Sequence, residues 1–357
     1  MPLWRCDSLQ PACKLEVFDR DYHFRDMAAL SLPDIQMDYL TLESTSITVT
    51  AIQAQKGDYL HITRMDGSLV YQGILADRED KGYEVKLKAS PLLSLLDVDV
   101  SYDRTQLQRG TLEDFLAGII TNTYIQNEDT LQNIPGAQVE VQSQTPDTAL
   151  NIKSNVHQMW DLATKALTQY DVVISCLLYP QEKVLRFVIG KRAEVVTLEA
   201  DLPNCLERNF VLTDRYGELN KATYINKDDE TQKATFYLHP DGKVDTNNTD
   251  RIFPVFFSVE YVEGAEDFGQ EALDRALEQL TPQKYEQLIE LSYREGDALV
   301  EPTVLKIGCL ADIQQGETLY RSILTGYQRK QGVITLAFGC IRLELTKKLL
   351  LERRKKR

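Results

Sequence analysis

Apolar and polar residues alternate along the N-terminal part of the chain, residues 1–97. The alternation is clearest in residues 46–50 and 83–88, where every second position is apolar. A period of two predicts strands that bury one face and leave the other in water. Residues 65–68 separate two apolar runs and predict a hairpin turn, with Gly67 at positive φ. Short strands at this spacing predict a small β-barrel or sandwich.

The pattern changes after Pro91 and predicts an α+β region over residues 98–200. Thr111 can cap a helix, and Asp114 suits the positive end of its dipole. The apolar stripe of this helix consists of Leu112, Phe115, Leu116, Ile119 and Ile120. A second helix is predicted from near Asn155, with Trp160, Leu162, Ala163, Ala166 and Leu167 on its apolar face. Residues 172–178 and 184–189 then predict two strands joined by a turn.

Strands return from about Cys205, beginning with residues 220–226 and 234–238. Residues 268–280 have helical spacing and predict an amphipathic helix that Pro282 stops. A strand over residues 286–291 follows. The predicted domains are a first β-domain (1–97), an α+β domain (98–200), a second β-domain (201–235 plus 296–345), an inserted α/β domain (236–295) and a basic tail (346–357).

A strand–turn–strand passage occurs near each end of the chain. Residues 70–87 align without a gap on residues 319–336, at the offset of 249 that separates Tyr71 from Tyr320. The matched pairs are Tyr71 and Tyr320, Ile74 and Ile323, Leu75 and Leu324, Lys81 and Lys330, and Leu87 and Leu336. Two explanations are open: one β-domain used twice, or a chance match of strand-forming residues. If the β-domain is duplicated, each chain contains two similar domains. A ring of such chains would then present twice as many similar faces as it has subunits.

Composition limits the class of protein. A length of 357 residues predicts two to four domains, at about 100–200 residues each. Hydrophobic content of 43% and charged content of 26% are typical of a soluble globular protein. No apolar run approaches the length of about 20 residues that crossing a membrane requires. The N-terminus lacks the apolar core of a signal peptide, so we expect assembly in the cytoplasm.

The sequence contains no recognisable catalytic, cofactor-binding or metal-binding motif, and we expect none of these sites. No two of the six cysteines have the spacing of a metal or redox motif, which indicates thiols in a reducing compartment. The histidines are scattered, at His23, His61, His157 and His239. The Asx-rich loop 245–250 lacks the glycine and closing glutamate of an EF-hand.

Charge is distributed unevenly. The net charge of −14 argues against duplex-DNA binding, because that affinity comes from neutralised phosphates. The acidic charge is compatible with a surface that nucleic acid passes without binding. The C-terminus is basic instead, with Lys347, Lys348, Arg353, Arg354, Lys355, Lys356 and Arg357. A solvated terminus, a docking peptide for an acidic partner and a nucleic-acid contact are all open interpretations; we retain the seven residues as candidate docking residues.

Five segments carry a resemblance to a known family: residues 56–60, 69–74, 307–308, 320–326 and 338–343. The chain resembles the tail-hub and baseplate-hub proteins of tailed bacteriophages in these segments and in the order of its elements. The resemblance covers about residues 1–345. The resemblance is to the N-terminal hub part of tail-associated proteins of Gram-positive phages and prophages. It implies an α+β, mostly β fold, with two tube-type β-barrel domains interleaved with two smaller α/β domains. Three subunits would form a ring whose six barrels line a channel.

The resemblance implies a structural hub in the virion tail tip rather than an enzyme. The expected partners are further copies in a homotrimer, a hexameric distal tail or tube protein, the tape-measure protein, and tip fibre or receptor-binding proteins. DNA would pass through without specific binding, along a channel that acidic side chains line. Longer family members add a C-terminal fibre or cell-wall peptidase, which this chain does not show. A tail-associated cell-wall hydrolase and a receptor-binding module are the alternatives.

Overall fold

The chain folds mainly into β-sheets. The computed structural model describes residues 12–102, 110–145, 155–212, 219–240, 243–253, 255–263, 267–280, 284–285, 287–297 and 305–339. The strands are β1 (Cys13–Phe18), β2 (Phe24–Leu30), β3 (Ile35–Asp38), β4 (Thr45–Val49), β5 (Tyr59–Arg64), β6 (Leu69–Asp80), β7 (Val85–Pro91), β8 (Asp99–Tyr102), β9 (Ala137–Val141), β10 (Asn155–Gln158), β11 (Val172–Tyr179), β12 (Val184–Lys191), β13 (Val195–Glu199), β14 (Cys205–Leu212), β15 (Lys221–Asn226), β16 (Lys233–Leu238), β17 (Val244–Asp245), β18 (Phe257–Val262), β19 (Gln287–Arg294), β20 (Leu310–Gln315), β21 (Thr318–Lys330) and β22 (Val333–Phe338). The helices are α1 (Leu112–Tyr124), α2 (Met159–Tyr170) and α3 (Phe268–Leu280), with a 3₁₀ turn at Leu92–Leu96.

Two large sheets dominate the described part of the chain. The N-sheet has the order β2-β1-β5-β6-β7-β4, and it curls so that its end strands β2 and β4 contact each other. The C-sheet has the order β13-β20-β21-β22-β19-β14, with β3 also paired to β21. The smaller sheets are β10-β8, β11-β12-β9 and β17-β16-β15-β18. Strands β15 and β16 therefore lie outside the C-sheet although the second β-domain was predicted to include residues 201–235, and β19 belongs to the C-sheet although it falls in the predicted insertion 236–295, because strand pairing depends on partners distant in sequence. The N-sheet and the C-sheet each enclose a separate hydrophobic cluster.

The N-sheet and the C-sheet share a four-strand core. The neighbours β4-β7-β6-β5 in the first correspond to β19-β22-β21-β20 in the second. Leu75 lies opposite Ala89, and at the same offset of 249 Leu324 lies opposite Phe338. The register shifts directly after Leu75 and directly after Leu324. The repeat predicted from the sequence is therefore present in strand order, register and bulge. Outside this core the sheets differ, since β1 is antiparallel to β5 whereas β13 is parallel to β20.

A glycine at positive φ precedes each copy of the repeat. Gly57 has φ 92° and Gly308 has φ 86°. The N–H of Gly57 donates to the carbonyl of Leu75, and that of Gly308 to the carbonyl of Leu324, both at 2.8 Å. Glycine adopts this conformation without the steric cost that a Cβ brings. The two glycines therefore fix the same turn against the same point of the repeated strand.

Helices α1 and α2 lie in a core that reaches both large sheets. As predicted, the Thr111 hydroxyl caps α1 by accepting the N–H of Asp114 at 3.2 Å, and the predicted apolar stripe is buried. The cluster around these helices also contains Tyr59 of the N-sheet and Ile323 of the C-sheet. No helix among the described residues has both the length and the apolar content that crossing a bilayer requires.

The second helix begins later than the sequence predicted. Residues 155–158 form β10, which pairs antiparallel with β8, and α2 starts only at Met159. His157 therefore lies in a strand and not in the first turn of a helix. The backbone of β10 bonds to residues 99–102, a partner distant in sequence that the local pattern does not show. The third predicted helix, α3, has the predicted bounds and packs on β15, β16 and β18.

Replacement of the two repeat glycines should have unequal effects. A Cβ added at Gly308 would lie 2.8 Å from the Cβ of Val173, whereas at Gly57 it would meet no heavy atom within 4 Å. We expect Gly57→Ala to lower the free energy of unfolding by about 1–2 kcal/mol through backbone strain. Gly308→Ala should cost about 1–3 kcal/mol more through overpacking. Urea-induced unfolding of both variants measures the difference, and equal losses would contradict it.

Candidate assembly interface

Strand β3 precedes β4 of the N-sheet but pairs with the C-sheet. Its residues 35–38 lie antiparallel to residues 326–329 of β21. The N–H of Tyr39 donates to the carbonyl of Thr325 at 2.9 Å and extends this contact by one residue. An N-terminal segment therefore completes the C-terminal sheet, and the two sheets are joined by a backbone ladder.

Arg329 is buried beside the β3–β21 contact, with 4% of its surface exposed. Its Nη2 donates to the carbonyl of Pro33 at 2.8 Å, and its Nη1 lies 3.7 Å from Oε1 of Glu295. Arg64 of the N-sheet reaches the same carboxylate oxygen at 3.4 Å. Glu295 therefore compensates a guanidinium from each sheet. Because a buried ion is costly unless it is paired, this arrangement favours one relative placement of the sheets.

Side chains of the N-terminal region satisfy the backbone at the edge of the helical region. Strand β11 is an end strand of its sheet. Gln72 of β6 donates from Nε2 to the carbonyl of Leu178 at 2.6 Å and accepts the N–H of the same residue at 3.0 Å. The Tyr39 hydroxyl accepts the N–H of Ile174 at 3.2 Å. These bonds attach β6 and the segment after β3 to β11, and they occupy an edge that would otherwise be open to pairing.

Two end strands expose apolar side chains. Phe257, Val259 and Tyr261 alternate along β18, and 64%, 55% and 53% of their surfaces are exposed. They lie on the face opposite the buried Val262, whose side of the sheet α3 covers. The end strand β14 exposes Leu206, Val211 and Leu212. Rows of large exposed apolar side chains are typical of interaction surfaces.

Two of the histidines, His61 and His239, lie within hydrogen-bonding distance of protein side chains. Nδ1 of His61 lies 3.0 Å from Nε2 of Gln72, and Nε2 of His239 lies 3.0 Å from Oδ1 of Asp245. A hydrogen bond from Lys243, together with bonds from the Asn247 N–H and from His239, lowers the pKa of Asp245 to about 2. Asp245 is the first residue of the Asx-rich loop 245–250. Protein donors already bond to its carboxylate.

One cluster of two carboxylates and a histidine lies in the β1–β2 loop and was not predicted from the sequence. Ligand atoms of Asp19, Asp21 and His23 lie within 4.8 Å of one another. Oδ1 of Asp19 accepts the N–H groups of Asp21 and His23, each at 2.9 Å. These bonds form an Asx turn, which accounts for the grouping through the conformation of the loop. The signal that would have found it is the alternate spacing of the three side chains.

The predicted docking residues lie outside the described part of the chain. This applies to Lys347, Lys348 and the five basic residues 353–357, whose docking role stays a prediction. It also applies to Cys6 and Cys340. The described cysteines, Cys13, Cys176, Cys205 and Cys309, are free thiols. Burial raises the pKa of the Cys176 thiol, which keeps it in its neutral form.

Comparison with known proteins finds similarity at the level of fold. No protein-family model matches the chain, and no curated protein matches it. The chain is similar to a solved structure of the phage P2 baseplate in its activated conformation with Ca, with a TM-score of 0.51 and 14% identity over 91% of this chain and 98% of that chain. It is also similar to the 43 kDa tail protein of prophage MuSo2 from Shewanella oneidensis, with a TM-score of 0.50 and 12% identity over 91% of this chain and 98% of that one.

These similarities cover nearly the whole of each chain, so they concern the complete architecture and not one shared module. The chain has the fold of phage baseplate and prophage tail proteins. At the level of fold, the resemblance predicted from the sequence is thereby confirmed, as is the mostly β fold class.

Loss of the buried guanidinium at the β3–β21 contact should destabilise the protein. Arg329→Met would leave the Pro33 carbonyl without its donor and Glu295 with one partner fewer. We expect a fall in the free energy of unfolding of about 2–4 kcal/mol. Arg321→Met is the matched control, because Arg321 lies on the same strand and pairs with Asp312 at 2.8 Å with its side chain 62% exposed. Urea-induced unfolding of both variants measures the effects, and a loss for Arg329→Met as small as for Arg321→Met would contradict the assigned role.

Proposed function

We propose that this protein is the structural hub of a phage or prophage tail tip, assembled as a ring of three copies. The observation that carries the proposal is the presence of two like sheets in one chain, with the same strand order, register and bulge. Three such chains have six similar faces, the number needed to meet a six-fold tube while keeping three-fold symmetry for the tip. The shared fold with baseplate and tail proteins supports this assignment.

In this proposal the N-sheet and the C-sheet each contribute one tube-type barrel. Their separate hydrophobic clusters support the division, as does the curl of the N-sheet. The region of α1 and α2 and the region of α3 form the two smaller outer domains. The second of these has its own cluster, built from α3 and the sheet β17-β16-β15-β18. The exposed apolar rows on β14 and β18 become contacts with neighbouring subunits or tip proteins.

The hub joins the hexameric tail tube to three-fold tip components and encloses the path of the tape-measure protein and of the DNA. Acidic residues exceed basic ones, 54 against 40, which supports a channel that repels nucleic acid. The partners are the tube protein on one side and fibre or receptor-binding proteins on the other. The virion is the site of action, after assembly in the host cytoplasm.

A ring of three should be observable directly. The purified protein at increasing concentration, and the protein in tail tips, should form particles of three copies around a central hole with six similar lobes. Light scattering gives the mass, and negative-stain electron microscopy gives the symmetry. A chain that stays monomeric at every concentration, together with tail tips that lack a three-fold ring around the channel, would contradict the proposal.

The basic tail should contribute to docking through charge. Replacement of its seven basic residues by Gln should reduce the incorporation of the protein into tails. Incorporation of the wild-type protein should also fall more steeply with salt than that of the variant, because screening weakens exposed charge pairs at lengths beyond about 10 Å in 0.1 M salt. A control tail with Lys and Arg exchanged keeps the charge and should behave as wild type. Equal incorporation of all three proteins would exclude the docking role.

A further inference from the structure

One segment of the repeat is covered in the C-sheet and open in the N-sheet. In β21, residues 326–329 pair with β22 on one side and with β3 on the other. The counterpart in β6, at the offset of 249, is residues 77–80. These pair with β7 on one side, whereas β5 pairs with β6 only as far as Ile74. Within the described part of the chain, no strand pairs with residues 77–80 on the second side.

The exposure of the two segments follows this difference. Asp77, Arg78, Glu79 and Asp80 are all exposed. Their counterparts Gly326, Tyr327, Gln328 and Arg329 are buried, apart from the half-buried Gln328. The N–H of Arg78 bonds to Oδ1 of the adjacent Asp77 at 2.9 Å, so a neighbouring side chain occupies a donor that a partner strand could take. An unpaired edge offers backbone groups to a further strand, while its four charged side chains and the bulge after Leu75 restrict which strand can pair with it.

A cleft of about 500 Å³ opens beside this edge. It is lined by Arg78, by residues 53–55, and by Asp19, Phe24 and Arg25 of the β1–β2 hairpin. Phe24 is 53% exposed and forms an apolar wall. An unpaired strand edge next to an exposed aromatic ring is the combination by which an added strand gains both backbone hydrogen bonds and a side-chain pocket.

We propose that a strand from a second copy of this chain adds to β6 at residues 77–80, as β3 adds to β21 at residues 326–329 within the chain. This inference rests on the proposed ring. A ring of alternating N- and C-sheets has one kind of junction within each chain and another between chains. The β3–β21 contact forms the junction within the chain. Because the two sheets share register and bulge, the junction between chains can use the same segment of the repeat.

Amide hydrogen exchange tests the proposal with an internal control. Peptides that cover residues 77–80 and 326–329 are compared in the dilute chain and in the assembled ring. We expect residues 326–329 to exchange slowly in both states. Within residues 77–80, the amides that point away from β7, such as that of Arg78, should exchange at least about tenfold more slowly in the ring than in the dilute chain, because an added strand protects them.

The outcomes separate this inference from the proposed function. A ring of three in which residues 77–80 gain no protection over the dilute chain would overturn the inference and leave the hub standing. Failure to find a ring in solution or in tails would overturn both.

A pair of variants tests the backbone edge itself. Arg78→Pro removes an N–H on the open side of β6, whereas Arg78→Ala removes the same side chain and keeps the N–H. We expect the proline variant to associate about tenfold more weakly than the alanine variant, as measured by the concentration dependence of mass. Circular dichroism checks that both variants are folded. Equal association of two folded variants would contradict the proposal, and the exchange experiment on the wild-type protein decides the case if the proline variant does not fold.

Discussion

The pairing of β3 with β21 is the contact on which the rest of the architecture depends. It joins residues from the two ends of the described chain. The hydrogen bond between Arg329 and Pro33, for example, links residues 296 positions apart. Loop-closure entropy rises only slowly with length, so a contact this distant remains affordable once the intervening domains have folded. The contact also determines where Arg64 and Arg329 meet Glu295, and hence how the N-sheet and the C-sheet are placed relative to each other.

The helical region makes this placement rigid. Its core includes Tyr59 from the N-sheet and Ile323 from the C-sheet, so apolar burial couples all three parts. Gln72 and Tyr39 satisfy backbone groups of β11 on the side where no strand of the described residues pairs with it. These backbone groups of Ile174 and Leu178 are therefore paired, and a shift of the N-terminal region would leave them unpaired at a cost of about 1–3 kcal/mol each.

The repeat gives the chain pseudo-symmetry. The proposed assembly depends on the points at which the two copies of the repeat differ. The two sheets share a core, a bulge and a glycine turn, but only the C-sheet receives β3. Within one chain the corresponding segment of the N-sheet stays exposed. In the proposed ring this inequality is removed, because each chain meets a neighbour at the segment that its own residues leave open. The single-chain structure and the proposed assembly are in this way two consequences of one duplicated unit.

Local patterns in the sequence determined much of this protein. Alternation located β4 and β7 of the N-sheet, Gly67 marked a turn at positive φ, Thr111 and Asp114 marked the start of α1, and helical spacing predicted α3. The offset between Tyr71 and Tyr320 revealed the repeat, because the buried positions of two like strand pairs favour similar apolar residues. The tertiary structure decided what the local patterns could not. Residues 155–158 form a strand because β8 pairs with them, β18 was not predicted, and β3 joins the C-sheet although it precedes a strand of the N-sheet. The physical reason is that periodicity reports which face of an element is buried, whereas the choice of a hydrogen-bonding partner depends on backbone groups that are the same in every residue.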